Sequence, residues 1–300
     1  MNIVKNKKWF FLLSAIVIIP GVISLILFGL KFSIDFTGGS KLEFQISNFK
    51  SQTSNKNISE VLDSEKIKVH KIEKVSGDTF KVQTNPIEQD KKNEIVSELD
   101  KLGKITEKSF ETVGPTIGRE TQENAVKAVI VASIAITAYI AFAFRKVSNP
   151  VSSWKYGVCA IAALLHDLLI VVGIFSILGR FLNIEVDSLF ITALLTVMGF
   201  SVHDTIVVFD RIRENLRKNF NLKFEEVVNN SLLETLNRSL NTSLTVVMVL
   251  FALLLFGGES IRWFVVALLI GIISGTYSSI FNASQLLVAW YEWDKKRKNN

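Results

Sequence analysis

The sequence predicts an α-helical integral membrane protein of six spans, interrupted once by a mixed α/β domain outside the membrane. Three observations lead there. Hydrophobic residues make up 49% of the chain and its mean hydropathy is +0.34, whereas soluble domains of this size are more polar. The apolar residues are blocked rather than spread, each block about as long as the roughly 20 residues a bilayer-crossing helix needs. Between the first two blocks the hydrophobic period changes to that of strands and short helices.

The blocks are Trp9–Leu30, Ala125–Phe144, Tyr156–Leu178, Ser188–Phe209, Leu240–Phe256 and Trp263–Trp290. They divide the chain into 1–30, a cytoplasmic N-terminus with the first span, 31–123, the inserted domain, and 124–300, the other five spans with a basic tail. The first block follows Lys5, Lys7 and Lys8 as a signal peptide would. It outlasts the roughly 7–15 apolar residues of a signal core, and GLKFSIDFTGGS after it offers no small-x-small cleavage site. It is read as an uncleaved span.

Cations settle the expected orientation. Arg145, Lys146 and Lys155 lie in one loop, Arg211, Arg213, Arg217, Lys218, Lys223 and Arg238 in the next on that side, and Lys295, Lys296, Arg297 and Lys298 in the tail. The short loops opposite hold Arg180 and Arg262 alone. The positive-inside rule then puts both termini in the cytoplasm. The formal charge of +6 calls for no nucleic acid, and its clusters suit anionic membrane lipids. The single cysteine, Cys159, falls within the third span, so no intrachain disulfide or cysteine metal site is expected.

Inside 31–123, KLEFQIS (41–47) alternates as a strand, and NISEVLDS (57–64) reads as a short helix. Strands 68–75 and 78–84 flank Gly77, a hairpin signal. The segment 87–103, between Pro86 and Gly103, is a helix, and 104–113 closes as a strand. The order β-α-β-β-α-β predicts a ferredoxin-like α+β domain, a fold that names no function. His70 is read as a solvated strand residue. No metal-spaced cluster is found, and no metal or cofactor is expected. DFTGGS, with Asp35, Gly38 and Gly39, and VGPTIGRE, with Gly114 and Pro115, flank the domain as linkers or as a hinge.

Ionisable residues interrupt the spans. In GFSVHDTIVVFDRIREN (199–215), Asp204 lies about seven residues from the exit at Arg211, roughly 10 Å deep at 1.5 Å per residue. His203 is its neighbour, and Asp210 is expected at the hydrated interface. His166 and Asp167 interrupt the third span, and Arg238 opens the fifth, with Thr242 one turn further in. A charge at mid-bilayer costs at least a few kcal/mol, so such groups are paired, hydrated or functional. If the third to fifth spans touch, Arg238 approaches Asp204. A buried carboxylate holds a proton and an approaching arginine drives it off, which makes a relay; a static ion pair that only holds the bundle is the alternative. The histidines could shuttle protons or make core hydrogen bonds.

Two packing features complete the reading. Gly271, Gly275 and Ser279 form a small-xxx-small face, with Gly173 and Gly199 as further close-contact positions. Residues 222–240 space Phe224, Val227, Val228, Ser231, Leu232 and Thr235 on one face. That predicts an amphipathic helix near 222–236, lying along the cytoplasmic surface.

These motifs together (DFTGG, VGPTIG, LHDLLI, GFSVHDTIVVFDRIREN, LNRSLNTS, FGGESIRWF and LIGIISGTYSSIFNASQL) resemble the SecD/SecF family of protein-export membrane proteins. That family is related to the resistance-nodulation-division transporters. The resemblance implies a SecD-like six-span partner, the SecYEG channel beside it, YajC as a further candidate, unfolded preproteins as cargo, and inward proton flow as drive. It implies a transport subunit of the bacterial inner membrane rather than an enzyme. It also ties proton use to the motif aspartate, Asp204, and to the arginine and threonine of the fifth-span motif, Arg238 and Thr242. The relay set is then Asp204, Arg238, Thr242, His203, Asp210 and Asp167. His203 stands where asparagine is commoner in the family, which would shift the pH dependence.

Three rival classes stand beside this reading. Ser201, His203 and Asp204 superficially offer a hydrolytic triad, but His203 is two and one residues from the other two, spacings at which helix side chains do not face each other. A small-molecule or lipid exporter of the same superfamily would form its own assembly. A passive scaffold would leave the intramembrane charges dispensable.

Overall fold

The computed structural model describes residues 2–47, 55–65, 67–145, 151–219 and 221–299; Lys146 lies outside them. In chain order the elements are α1 (Lys7–Phe28), α2 (Ile34–Thr37), β1 (Gly39–Ser47), α3 (Asn55–Ser64), β2 (Val69–Ser76), β3 (Thr79–Thr84), α4 (Gln89–Leu99), β4 (Lys104–Val113), α5 (Pro115–Ala143), α6 (Ser153–Leu182), α7 (Ser188–Lys218), α8 (Phe224–Phe256), α9 (Arg262–Ser278) and α10 (Ser284–Asn299). They form two units. One is Phe32–Val126; the other joins Met1–Lys31 to Lys127–Asn300.

In the smaller unit every expected strand and helix is present. Leu42, Phe44 and Ile46 alternate inward along β1 while Lys41, Glu43 and Gln45 stay partly exposed. Ile58 and Leu62 on α3, and Ile95 and Leu99 on α4, recur four apart and close over the same core with Phe80 and Val82. The sheet order is β2-β3-β1-β4, and all three neighbouring pairs are antiparallel. Phe44 stands opposite Phe80 across β1 and β3. Gly77 takes φ +53° in the β2–β3 turn, which a glycine adopts without strain. Helix α4 stops at Leu99, short of the expected Gly103, because the Asp100 carboxylate turns to accept the Ile105 amide at 2.7 Å.

The flanks of this unit are built, not loose. Gly38 and Gly39 take φ +71° and +131°, and Gly39 opens β1 opposite Val113. A Cβ on Gly38 would lie 2.9 Å from the Pro115 Cα, and one on Gly118 would lie 2.8 Å from the Gly38 amide nitrogen. The DFTGG and VGPTIG segments therefore clasp each other backbone to backbone. Pro115 is the first residue of α5, where its missing amide hydrogen is no loss. The linker reading of 115–120 is thus corrected: this stretch is helix.

Among the described residues the chain has six helices long and apolar enough to cross a membrane; α5 begins in the smaller unit, and the other five lie in the larger one. Five are single helices. The sixth is α9 and α10 joined by a π turn at Ser279–Ala283. Small residues set the closest approaches. A Cβ on Gly173 of α6 would lie 2.7 Å from the Gly21 Cα of α1, and Ser24 and Ser176 share a 2.9 Å hydrogen bond beside it. Gly271 admits the Val197 side chain of α7, and Gly275 lies against Ser201. Gly199 meets nothing within 4 Å, so it is not a close-contact glycine.

The expected surface helix near 222–236 is also corrected. It is the first part of α8, which runs unbroken to Phe256. Its predicted face is buried as spaced, but against protein: Phe224, Val228 and Leu232 join a core with Ile212 and Leu287. Asn215 of α7 donates to the Ser231 hydroxyl at 3.0 Å.

Candidate functional site: the intramembrane charges of α6, α7 and α8

Asp204 is 3% exposed, and its Oδ2 has no hydrogen-bond partner among the described residues. Burying a polar group without a partner costs free energy, and among the described residues no other buried carboxylate oxygen lacks one. Arg238 of α8 and Thr242 one turn beyond it are exposed, as is His203. Among the described residues Arg238 makes no direct ion pair with Asp204, contrary to the expectation that the two approach each other.

The residues toward the end of α7 are already paired. Asp210 forms an ion pair with Arg213, and Arg211 bridges Glu214 at 2.6 Å and Glu234 of α8. Asn215 also donates to Glu234, at 2.9 Å. Between α7 and α8 these groups line an open cavity of about 470 Å³, which reaches from Asp210, Glu214 and Glu234 to Thr235 and Arg238. It is the polar approach to the arginine.

Asp167 has the opposite environment to Asp204. It is fully buried, and its Oδ2 accepts from Ser201 of α7 and Ser278 of α9, both at 2.6 Å. Its Oδ1 accepts from Ser274 at 2.7 Å and from His166 Nδ1 at 3.0 Å. The other ring nitrogen of His166, Nε2, faces Asn282 at 2.8 Å and Ser14 of α1 at 3.0 Å. Ser279, in the π turn, donates to the Ser201 and Gly275 carbonyls and shares a 2.9 Å hydrogen bond with Thr205. The turn of α7 that carries Asp204 is therefore tied to α6 through Ser201 before it and to the π turn through Thr205 after it, while the Asp204 Oδ2 is left without a partner among the described residues.

The structure thus brings Asp204 and Arg238 to adjoining helices and gathers Asp210 at the same cavity. It sets Asp167 apart, in a knot of hydroxyls, and leaves His203 exposed. Ser201 is spent on Asp167 and does not meet His203, so the three members of the superficial triad do not converge. The knot residues Ser14, Ser274, Ser278 and Asn282 were not singled out in the sequence. The spacing of Ser274, Ser278 and Asn282, four apart and so on one helix face, is the signal that marks them. Asp35, Gly38, Gly39, Gly114 and Pro115 belong to the smaller unit, where the glycines and proline build the clasp described above. Among the described residues no group of three or more histidine, cysteine and acidic side chains could hold a metal ion.

A family model described as Protein export membrane protein SecD/SecF, C-terminal, matches residues 91–293, and one described as SecD/SecF GG Motif matches 23–48. The chain is 48% identical over 306 residues to Protein translocase subunit SecF of Thermobaculum terrenum, covering 98% of this chain and 95% of that one. It is 36% identical to Protein translocase subunit SecDF of Bacillus subtilis over 95% of this chain and 37% of that longer protein. The crystal structure of SecDF from Thermus thermophilus, a translocon-associated membrane protein, matches with a TM-score of 0.82 at 34% identity, over 97% of this chain and 39% of that one. On sequence and fold alike, the chain belongs to the SecD/SecF family of protein-export membrane proteins.

Proposed function

We propose that this chain is the SecF-like subunit of an accessory translocation complex of the bacterial inner membrane. It works with a SecD-like six-span partner beside the SecYEG channel and uses inward proton flow to promote export of unfolded preproteins. Both termini are cytoplasmic. The small domain, ferredoxin-like by its strand order, lies on the outer side. The length of the SecDF relatives supports a partner, since this chain accounts for 37–39% of them.

The observation that carries the proton reading is the contrast around Asp204. A carboxyl group in an apolar bundle is cheapest when neutral, and no hydrogen bond at Oδ2 holds it ionised. A proton arriving from outside therefore rests on Asp204. A shift of α8 that brings Arg238 closer favours the carboxylate, and the proton leaves through the cavity toward Asp210, Glu214 and Glu234. Thr242, on the same helix as Arg238, offers a hydroxyl that can hand the proton on or hold the ion pair. Asp167, already accepting four donors, anchors the helix that carries Asp204.

Reconstitution tests this function. Vesicles carrying the channel and the partner should show gradient-stimulated passage of a secreted substrate only when this chain is included. If the chain instead assembles alone and moves a small molecule or lipid down a proton gradient, the exporter reading replaces this one.

A further inference from the structure

A slot of about 290 Å³ opens sideways between α6 and α10, lined by Val158, Ala162, Leu286, Ala289, Trp290 and Trp293. Ala162 and Ala289 face it where longer side chains would close it. Its walls carry essentially no polar groups. At the rim Trp154 and Trp290 meet edge to face with centroids 4.9 Å apart, and Lys155 reaches over both rings while paired to Asp294. Arg297 lies 5.8 Å from the centre of the Trp293 ring. Beside it Lys296 and Lys298 are exposed.

We propose that this slot holds an acyl chain of an anionic glycerophospholipid whose phosphate rests on Lys296 and Arg297, which continue the face of α10 that carries Leu286, Ala289, Trp290 and Trp293. Tryptophans and cations mark the depth of the headgroups in a membrane protein, so the rim lies where a phosphate lies and the apolar walls lie where its chains begin. A free phosphate would leave the apolar walls uncovered. A zwitterionic lipid fills the walls equally well but gains nothing net from the cations, each of which favours an anionic surface. Because Lys155 is committed to Asp294, the selecting charges are those of the last turn of α10.

The full chain, purified in mild detergent and offered equal amounts of phosphatidylglycerol and phosphatidylcholine, is read by native mass spectrometry. Retained phosphatidylglycerol should exceed phosphatidylcholine by about tenfold or more; each of Lys296→Gln and Arg297→Gln should lower that preference about fivefold, and Lys298→Gln, on another face of α10, should change it less. Ala289→Phe and, from the opposite wall, Val158→Phe should remove both lipids while the helical circular dichroism stays unchanged. Equal retention of the two lipids by the wild type overturns headgroup selection. Undiminished binding in either folded Phe variant overturns the slot as the site.

Discussion

Asp167 and Asp204 are the same residue type on neighbouring helices, and the donors around them separate their roles. Asp167 accepts from Ser201, Ser274, Ser278 and His166, so it is built to stay. Replacing it with alanine strands three hydroxyls and an imidazole N–H, and each buried unsatisfied group costs about 1–3 kcal/mol. Asp167→Ala is accordingly predicted to lower the thermal midpoint of the purified protein clearly, by differential scanning in detergent. An unchanged midpoint would show that the donors reach water instead. His203 is exposed beside Asp204 and can take up a proton where asparagine cannot. His203→Asn is predicted to leave gradient-driven export largely intact while changing its pH profile. An identical profile removes the histidine from the proton path. The sequence made Asp204 conspicuous because a charge stands out in an apolar run. It could not separate Asp204 from Asp167, because hydroxyls from three other positions decide that, and serine is unremarkable in a span.

At the scale of elements, periodicity and breakers were legible and tertiary adjustments were not. Helix α8 continues through the change from polar to apolar composition at Leu240 because no glycine or proline lies between Phe224 and Phe256. The buried face of 224–235 was readable, but whether lipid or protein covers such a face depends on neighbours a pattern cannot show. The π turn at Ser279–Ala283 likewise left no local mark. Its extra residue aims Ser279 at the Ser201 carbonyl, and π turns gather at functional positions. The glycine contacts were half legible: Gly173 and Gly271 are close-approach sites, whereas Gly199 borders open space. Gly173→Val is predicted to force α1 and α6 apart, at a cost of about 1–3 kcal/mol typical of overpacking. Gly199→Ala, one methyl into open space, should be near neutral. Resistance to unfolding in graded SDS compares the two, and equal sensitivity would contradict the Gly21–Gly173 contact.

Over the whole molecule the chain divides its labour between two units with separate cores. The smaller one was almost fully legible, since alternation, hairpin glycine and helix breakers agree on each of its elements. Its clasp was not, because Gly38 and Gly118 lie 80 positions apart and meet only once the sheet has formed. With its own core, residues 32–126 are predicted to unfold as a separate transition, visible as a second step in calorimetry of the intact chain. One concerted step would show the two cores to be coupled. In the larger unit, α1, α5 and α8 expose many large apolar side chains, as expected where lipid or a partner chain completes the surface. Arg238 and Thr242 lie exposed on the same helix, α8.

The most direct measurement compares wild type with Asp204→Asn in vesicles that also hold the partner and the channel, with and without an imposed proton gradient. Passage of a secreted substrate is the readout, and co-purification establishes that both proteins assemble. Gradient stimulation of the wild type and its absence from the variant are predicted, because the amide cannot take up and release a proton. A variant that responds to the gradient like the wild type would contradict this, and would leave Asp204 as a structural residue.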